Sequence, residues 1–139
     1  MMNLFGVMDV SGSALKAERV RAEVVAVNMA NSETTRTADG GPYRRHHVIF
    51  AADEPTFAGA MAAQGVAVAG VVEDASAPLK RFDPGHPDAG TDGFVDYPDI
   101  NPLTEMVDLM GASRSYGMNA SAVQAEKGMV SSSLDLLKS

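Results

Sequence analysis

Five residues near the C-terminus, Leu109, Tyr116, Val123, Val130 and Leu137, recur every seven positions. A seven-residue apolar repeat held over four intervals puts one face of a helix on a continuous seam and asks for a partner along it. Ser113, Ala120, Lys127 and Leu134 follow at the next four-residue offset and complete the expected stripe. Pro102 suits the first turn, where its missing N–H costs nothing. The reading predicts a helix over 103–138 of more than 30 residues, about 45–50 Å long. Gly111, Gly117 and Gly128 lie inside it. Each weakens a helix by about 1 kcal/mol against alanine, so close approach of a neighbouring helix is the expected return.

A second repeat opens the chain. Met8, Leu15, Ala22 and Met29 recur every seven residues, with Ser11, Glu18 and Val25 between them. This predicts a helix within 3–31. Gly12, flanked by Ser11 and Ser13, is the one expected cap or break. The residues between the two helices follow a different period. Segments 43–50, 66–73, 79–82 and 94–97 read as short strands bounded by Gly, Pro and Asp, and 55–65 reads as an Ala-rich insert. The predicted class is therefore mainly α with a small β-rich middle. Segment 1–35 is helical, 36–101 is strands and loops, and 102–139 is a returning helix that pairs with the first.

Composition narrows the function. The chain has 139 residues, 6% aromatics and no Trp, so a self-contained core would be thin. A net charge of −7 argues against nucleic acid and anionic lipid as general partners. The absence of cysteine removes disulfides and thiolate chemistry. No apolar run reaches the roughly 18 residues of a membrane span. MMNLFGVMDV has no basic stretch before its apolar patch, so no cleaved signal peptide is expected.

Catalytic and metal patterns are weak. His46 and His47 are adjacent, so on a strand they point to opposite faces and do not share an ion. His86 lies between Asp83 and Asp88 in a Pro-Gly turn. Asp88, Asp92, Gly93 and Asp99 fall on calcium-loop positions 1, 5, 6 and 12, but Gly90 occupies position 3 and prolines flank the loop. No nucleophile, phosphate or dinucleotide motif is present, so no enzyme, cofactor or metal is expected. Charge is uneven. Arg36, Arg44 and Arg45 surround Gly40, Gly41 and Pro42, whereas Asp83, Asp88, Asp92, Asp96, Asp99, Glu105 and Asp108 fall between Phe82 and Ser113, a stretch with no Lys or Arg. Two readings stay open: a solvated acidic loop, or complementary patches that set register between subunits.

The first helix ends on VNMANSETT (Val27–Thr35), which resembles the signature of the flagellar axial proteins, the rod and hook family. RTADGGPYRR (36–45), GVVEDASAP (70–78), DPGHPDAGTDGFVDYPDIN (83–101) and EMVDLMGASRSYGMN (105–119) resemble a proximal-rod member of it in order. The resemblance assigns Asn28, Ala30, Asn31, Thr34, Thr35, Gly40, Gly41, Pro42, Tyr43 and Arg44 to a motif carrying the chain from an inner helical layer to an outer β-rich one. Segment 51–65 matches no family block, and Gly117 stands where the family has a longer side chain.

The resemblance implies a structural subunit of the rod, exported uncleaved through the flagellar type III apparatus into a drive shaft crossing the periplasm. Implied partners are copies of itself, other rod subunits and the protein joining rod to membrane ring. Packing would use Met8, Leu15, Ala22, Val25, Met29, Leu109, Tyr116, Ala120, Val123, Val130, Leu134 and Leu137, with helix ends that order on assembly. Asn28 and Asn31 can tolerate left-handed geometry and bond local backbone groups as the helix ends; Arg44 and Arg45 are available to acidic loops of neighbours, or form a solvated strand edge. An acidic-loop metal module and a non-polymerising helical adaptor are the alternatives.

Overall fold

The computed structural model describes residues 4–52 and 64–138, with side chains from residue 6 onward. The 51–65 segment therefore lies largely outside the described residues. Two helices dominate: α1 (Leu4–Ala30) of 27 residues and α2 (Pro102–Leu136) of 35. Asn28 meets Glu105 while Arg21 meets Asp108, so the helices run in opposite directions along a shared seam. Between them come β1 (His46–Ala52), β2 (Val66–Glu73), β3 (Leu79–Phe82) and β4 (Phe94–Tyr97). This is the mainly α architecture with a small β-rich middle that the periods predict.

Asn101 caps α2 by accepting the Leu103 N–H at 3.0 Å, and Pro102 follows at the first turn. Gly12 neither caps nor breaks α1, which runs straight through it. Ser13 instead accepts the Val66 N–H at 3.0 Å and pins the start of β2 to the helix. The seam also differs from the expected stripe. Ser11, Ala17, Val25 and Asn28 are the buried residues of α1, while Met8, Leu15, Ala22 and Met29 are half-buried. On α2 the fully buried residues are Glu105, Ala112 and Glu126, which lie three residues beyond or four before the seven-residue line. Leu109, Ala120, Val123 and Val130 are half-buried, Ser113 and Lys127 are exposed, and Tyr116, Leu134 and Leu137 are 44%, 52% and 84% exposed.

β1 and β2 pair antiparallel from His46↔Glu73 to Ala52↔Val66, with a bulge between Ile49 and Phe50. β1 begins three residues later than the strand pattern predicts, because Tyr43 turns back to bond its N–H to Thr34 O at 3.0 Å. β3 and β4 form a second antiparallel pair, Leu79↔Tyr97 to Phe82↔Phe94. Val95, Pro98 and Ile100 bury themselves as the chain approaches α2.

Gly93 closes this pair with φ +76°, and a Cβ there would lie 2.8 Å from Phe82 Cε2. Left-handed geometry and overlap with an aromatic ring both oppose a side chain. Gly93→Ala is therefore expected to lower stability by about 2–4 kcal/mol in urea unfolding. A change below the scatter of replicate unfolding curves would contradict the geometry.

Candidate assembly interface

The motif that ends α1 is a hydrogen-bonding hub. Asn28 is 1% exposed. Its amide donates to His46 O at 2.8 Å and to Glu105 Oε2 at 3.1 Å. Its Oδ1 accepts the His46 N–H at 2.9 Å and the Tyr43 hydroxyl at 3.1 Å. Two donors and two acceptors are thus all used. The contacts reach three elements: the end of α1, the start of β1 and the first turn of α2. Tyr43 also lies 2.7 Å from His46 Nδ1. If Nδ1 carries the proton and donates to the phenol oxygen, the phenol O–H remains free to donate to Asn28. Burial, with the Glu105 and Glu73 charges nearby, raises the Tyr43 pKa above its usual value and keeps that O–H in place.

Glu105, 1% exposed, takes its counter-charge from Arg45 Nη2 at 2.5 Å, and Asp108 lies 3.6 Å from the same nitrogen. Asp88 accepts the Thr35 hydroxyl at 2.7 Å and pairs with Arg36. The expected pairing of Arg45 with neighbouring subunits is thus corrected: its acids belong to its own chain. Arg44 is exposed and forms no ion pair among the described residues. Several of the acids that sequence grouped together are neutralised inside the fold by bases far away in the chain.

Asn28 and Asn31 do not take left-handed geometry; the positive φ values belong to Gly40, Gly41 and Gly93. Asn31 ends α1 by returning its Nδ2 to Val27 O at 2.9 Å and accepting the Thr34 hydroxyl at 3.1 Å. Gly40 and Gly41, at φ +85° and +80°, then reverse the chain ahead of Pro42. Ala30 is exposed. His47 points away from His46 and contacts Asp74 Oδ2 at 3.2 Å. Hydrogen bonds from Ser76 and His47 lower the Asp74 pKa to about 2. His86 Nδ1 accepts the Asp88 N–H at 3.1 Å, and Asp92 caps the Phe94 N–H at 3.2 Å. Among the described residues no three metal-type side chains converge, and no helix is long and apolar enough to cross a membrane.

The other side of α2 is uncovered. Leu103, Val107, Met110 and Met118 are 72%, 67%, 67% and 61% exposed. Their successive spacings of four, three and eight residues put them on one stripe. Cβ atoms built at Gly111, Gly117 and Gly128 would meet nothing within 4 Å. The close approach expected of these glycines is therefore not made among the described residues. The whole chain exposes 9609 Å², against about 6900 Å² for a compact monomer of this mass.

A family model described as flagellar basal body rod FlgEFG protein C-terminal matches residues 91–136, that is, β4 and α2. The flagellar basal-body rod protein FlgC of Borreliella burgdorferi is 40% identical over 99% of this chain and 99% of its own length. The chain belongs to the FlgC family of flagellar basal-body rod proteins. FlgC of Bacillus subtilis is 39% identical, covering 99% of this chain and all of its own length. FlgC of Salmonella typhimurium is 38% identical, covering 97% and 98%. As a FlgC-family member the chain is a structural subunit of the basal-body rod. Sequence reasoning missed His46 and Glu105 as hub partners of the FlgC motif. Their only local signals were a histidine pair and a glutamate in a helix's first turn.

Proposed function

We propose that this subunit polymerises through the uncovered face of α2, with its helices forming an inner axial layer and residues 36–101 an outer one. The carrying observation is the stripe of exposed apolar residues and bare glycines, which none of the described residues covers. Burying such surface against neighbours releases about 25 cal/mol per Å², and small residues let helix backbones come close. Head-to-tail contacts with a screw offset give a rod rather than a closed ring. Neighbours are copies of the chain and other rod subunits, with the junction protein of the membrane ring at one end. The rod stands in the periplasm, reached through the type III apparatus without cleavage, and the helix ends order as neighbours arrive.

Val107→Asp and Met110→Asp test this reading. Both sites are 67% exposed, so the purified chain is expected to keep its helicity and change stability by no more than about 0.5 kcal/mol. Swimming in soft agar is expected to be lost, with no complete rods in isolated basal bodies. Wild-type swimming by both variants would remove α2's outer face as the packing surface.

A further inference from the structure

Glu126 lies on the inner side of α2, 4% exposed, and its Oε2 is sealed from solvent with no hydrogen-bond partner among the described residues. Glu105, the other buried carboxylate of the same helix, has Arg45 and Asn28. A buried carboxylate left without a counter-charge opposes folding, and an apolar residue would fill this seam position at no such cost. Arg114 presents the complementary problem. It is exposed within the uncovered stripe, between Met110 and Met118, and enters no ion pair among the described residues. Twelve positions of helix separate the two, about 18 Å along the axis, so they cannot meet within one chain. Ala125 and Lys127, on either side of Glu126, are exposed.

We propose that Glu126 receives Arg114 of a neighbouring copy in the assembled rod. A guanidinium offers paired N–H donors that suit a carboxylate. Each copy would donate through its outer stripe and accept through its seam, which makes the contact heterologous and unable to close on a two-fold. The proposal rests on the rod-subunit reading and names the side chains at one of its contacts.

The test uses a strain lacking the chromosomal copy and expressing Arg114→Glu, Glu126→Arg, both together, or Glu126→Gln. Swimming in soft agar and rods in isolated basal bodies are scored, with cellular chain level and the helicity of each purified chain as controls. Each reversal is expected to cut swimming at least about tenfold, as loss of a desolvated charge pair does. The double reversal is expected to recover to within about threefold of the unaltered chain. A double variant no better than the worse single would overturn the pair. If a reversal lowers helicity, the isosteric Glu126→Gln decides: reduced swimming at full helicity supports the pair, and unaltered swimming overturns it. A deletion strain that still builds rods would overturn the rod reading itself; a deletion that blocks rods beside an inert Glu126→Gln overturns only the pair.

Discussion

Asn28→Ala is expected to lower the folding stability of the purified chain by about 3–5 kcal/mol, read by urea unfolding at constant ionic strength. The amide serves four partners at once: His46 O, His46 N–H, Glu105 Oε2 and the Tyr43 hydroxyl. Alanine satisfies none of them, and each buried polar group left unpaired costs about 1–3 kcal/mol. Water can reach some of the orphaned groups, since Tyr43 and His46 are half-buried, which holds the total below the simple sum. Asn28→Asp is expected to be at least as harmful. It keeps the shape but replaces both donors with carboxylate oxygen facing Glu105 at a position now 3.1 Å away. Glutamine carries the same groups on a longer arm and cannot reach all four from this backbone position. A loss below about 1 kcal/mol for alanine would show that the hub contributes no more than an ordinary hydrogen bond. The effect spreads because Asn28 ties the end of α1 to both β1 and α2, and without it these elements lose their fixed relation.

Much of this fold is written in periods and breakers. Alternation and turn residues place β2, β3 and β4 at their observed bounds, and Pro102 after Asn101 marks where α2 begins. The seven-residue repeat gives both helices their length. It misjudges which side of the repeat faces inward, because it follows apolarity. Glu105 and Glu126 are buried although they are acidic, and the first takes its counter-charge from Arg45, sixty positions earlier in the chain. No local pattern announces such a pairing. The asparagine motif misleads for a related reason. Asparagine at a helix end suggests left-handed backbone, whereas here its value lies in two donors and two acceptors on a short arm. The acids of 83–108 form a cluster along the chain but disperse in space, where Arg36, Lys80 and Arg45 each take some of them. The exposed stripe of Leu103, Val107, Met110 and Met118 lies off the seven-residue line, so the repeat does not announce it either.

Arg45→Met is expected to cost about 3–5 kcal/mol, because it leaves Glu105 buried without its counter-charge. Methionine preserves most of the side chain's packing, so the loss reports on charge more than on volume. Arg44→Met, one residue away and exposed, is the control, with an expected change within about 0.5 kcal/mol. Adding Glu105→Gln to Arg45→Met is expected to recover roughly half of the loss, since the amide oxygen still accepts from Asn28 while the stranded charge is gone. Strict additivity of the two substitutions would mean that Arg45 and Glu105 do not act as a pair. The location of the loss separates two accounts of the double arginine. Pairing with acids of other subunits would leave the isolated chain untouched and harm only assembly. Pairing within the chain lowers the stability of the purified protein first, and any loss of swimming then follows from a subunit whose strands are no longer anchored to its helices.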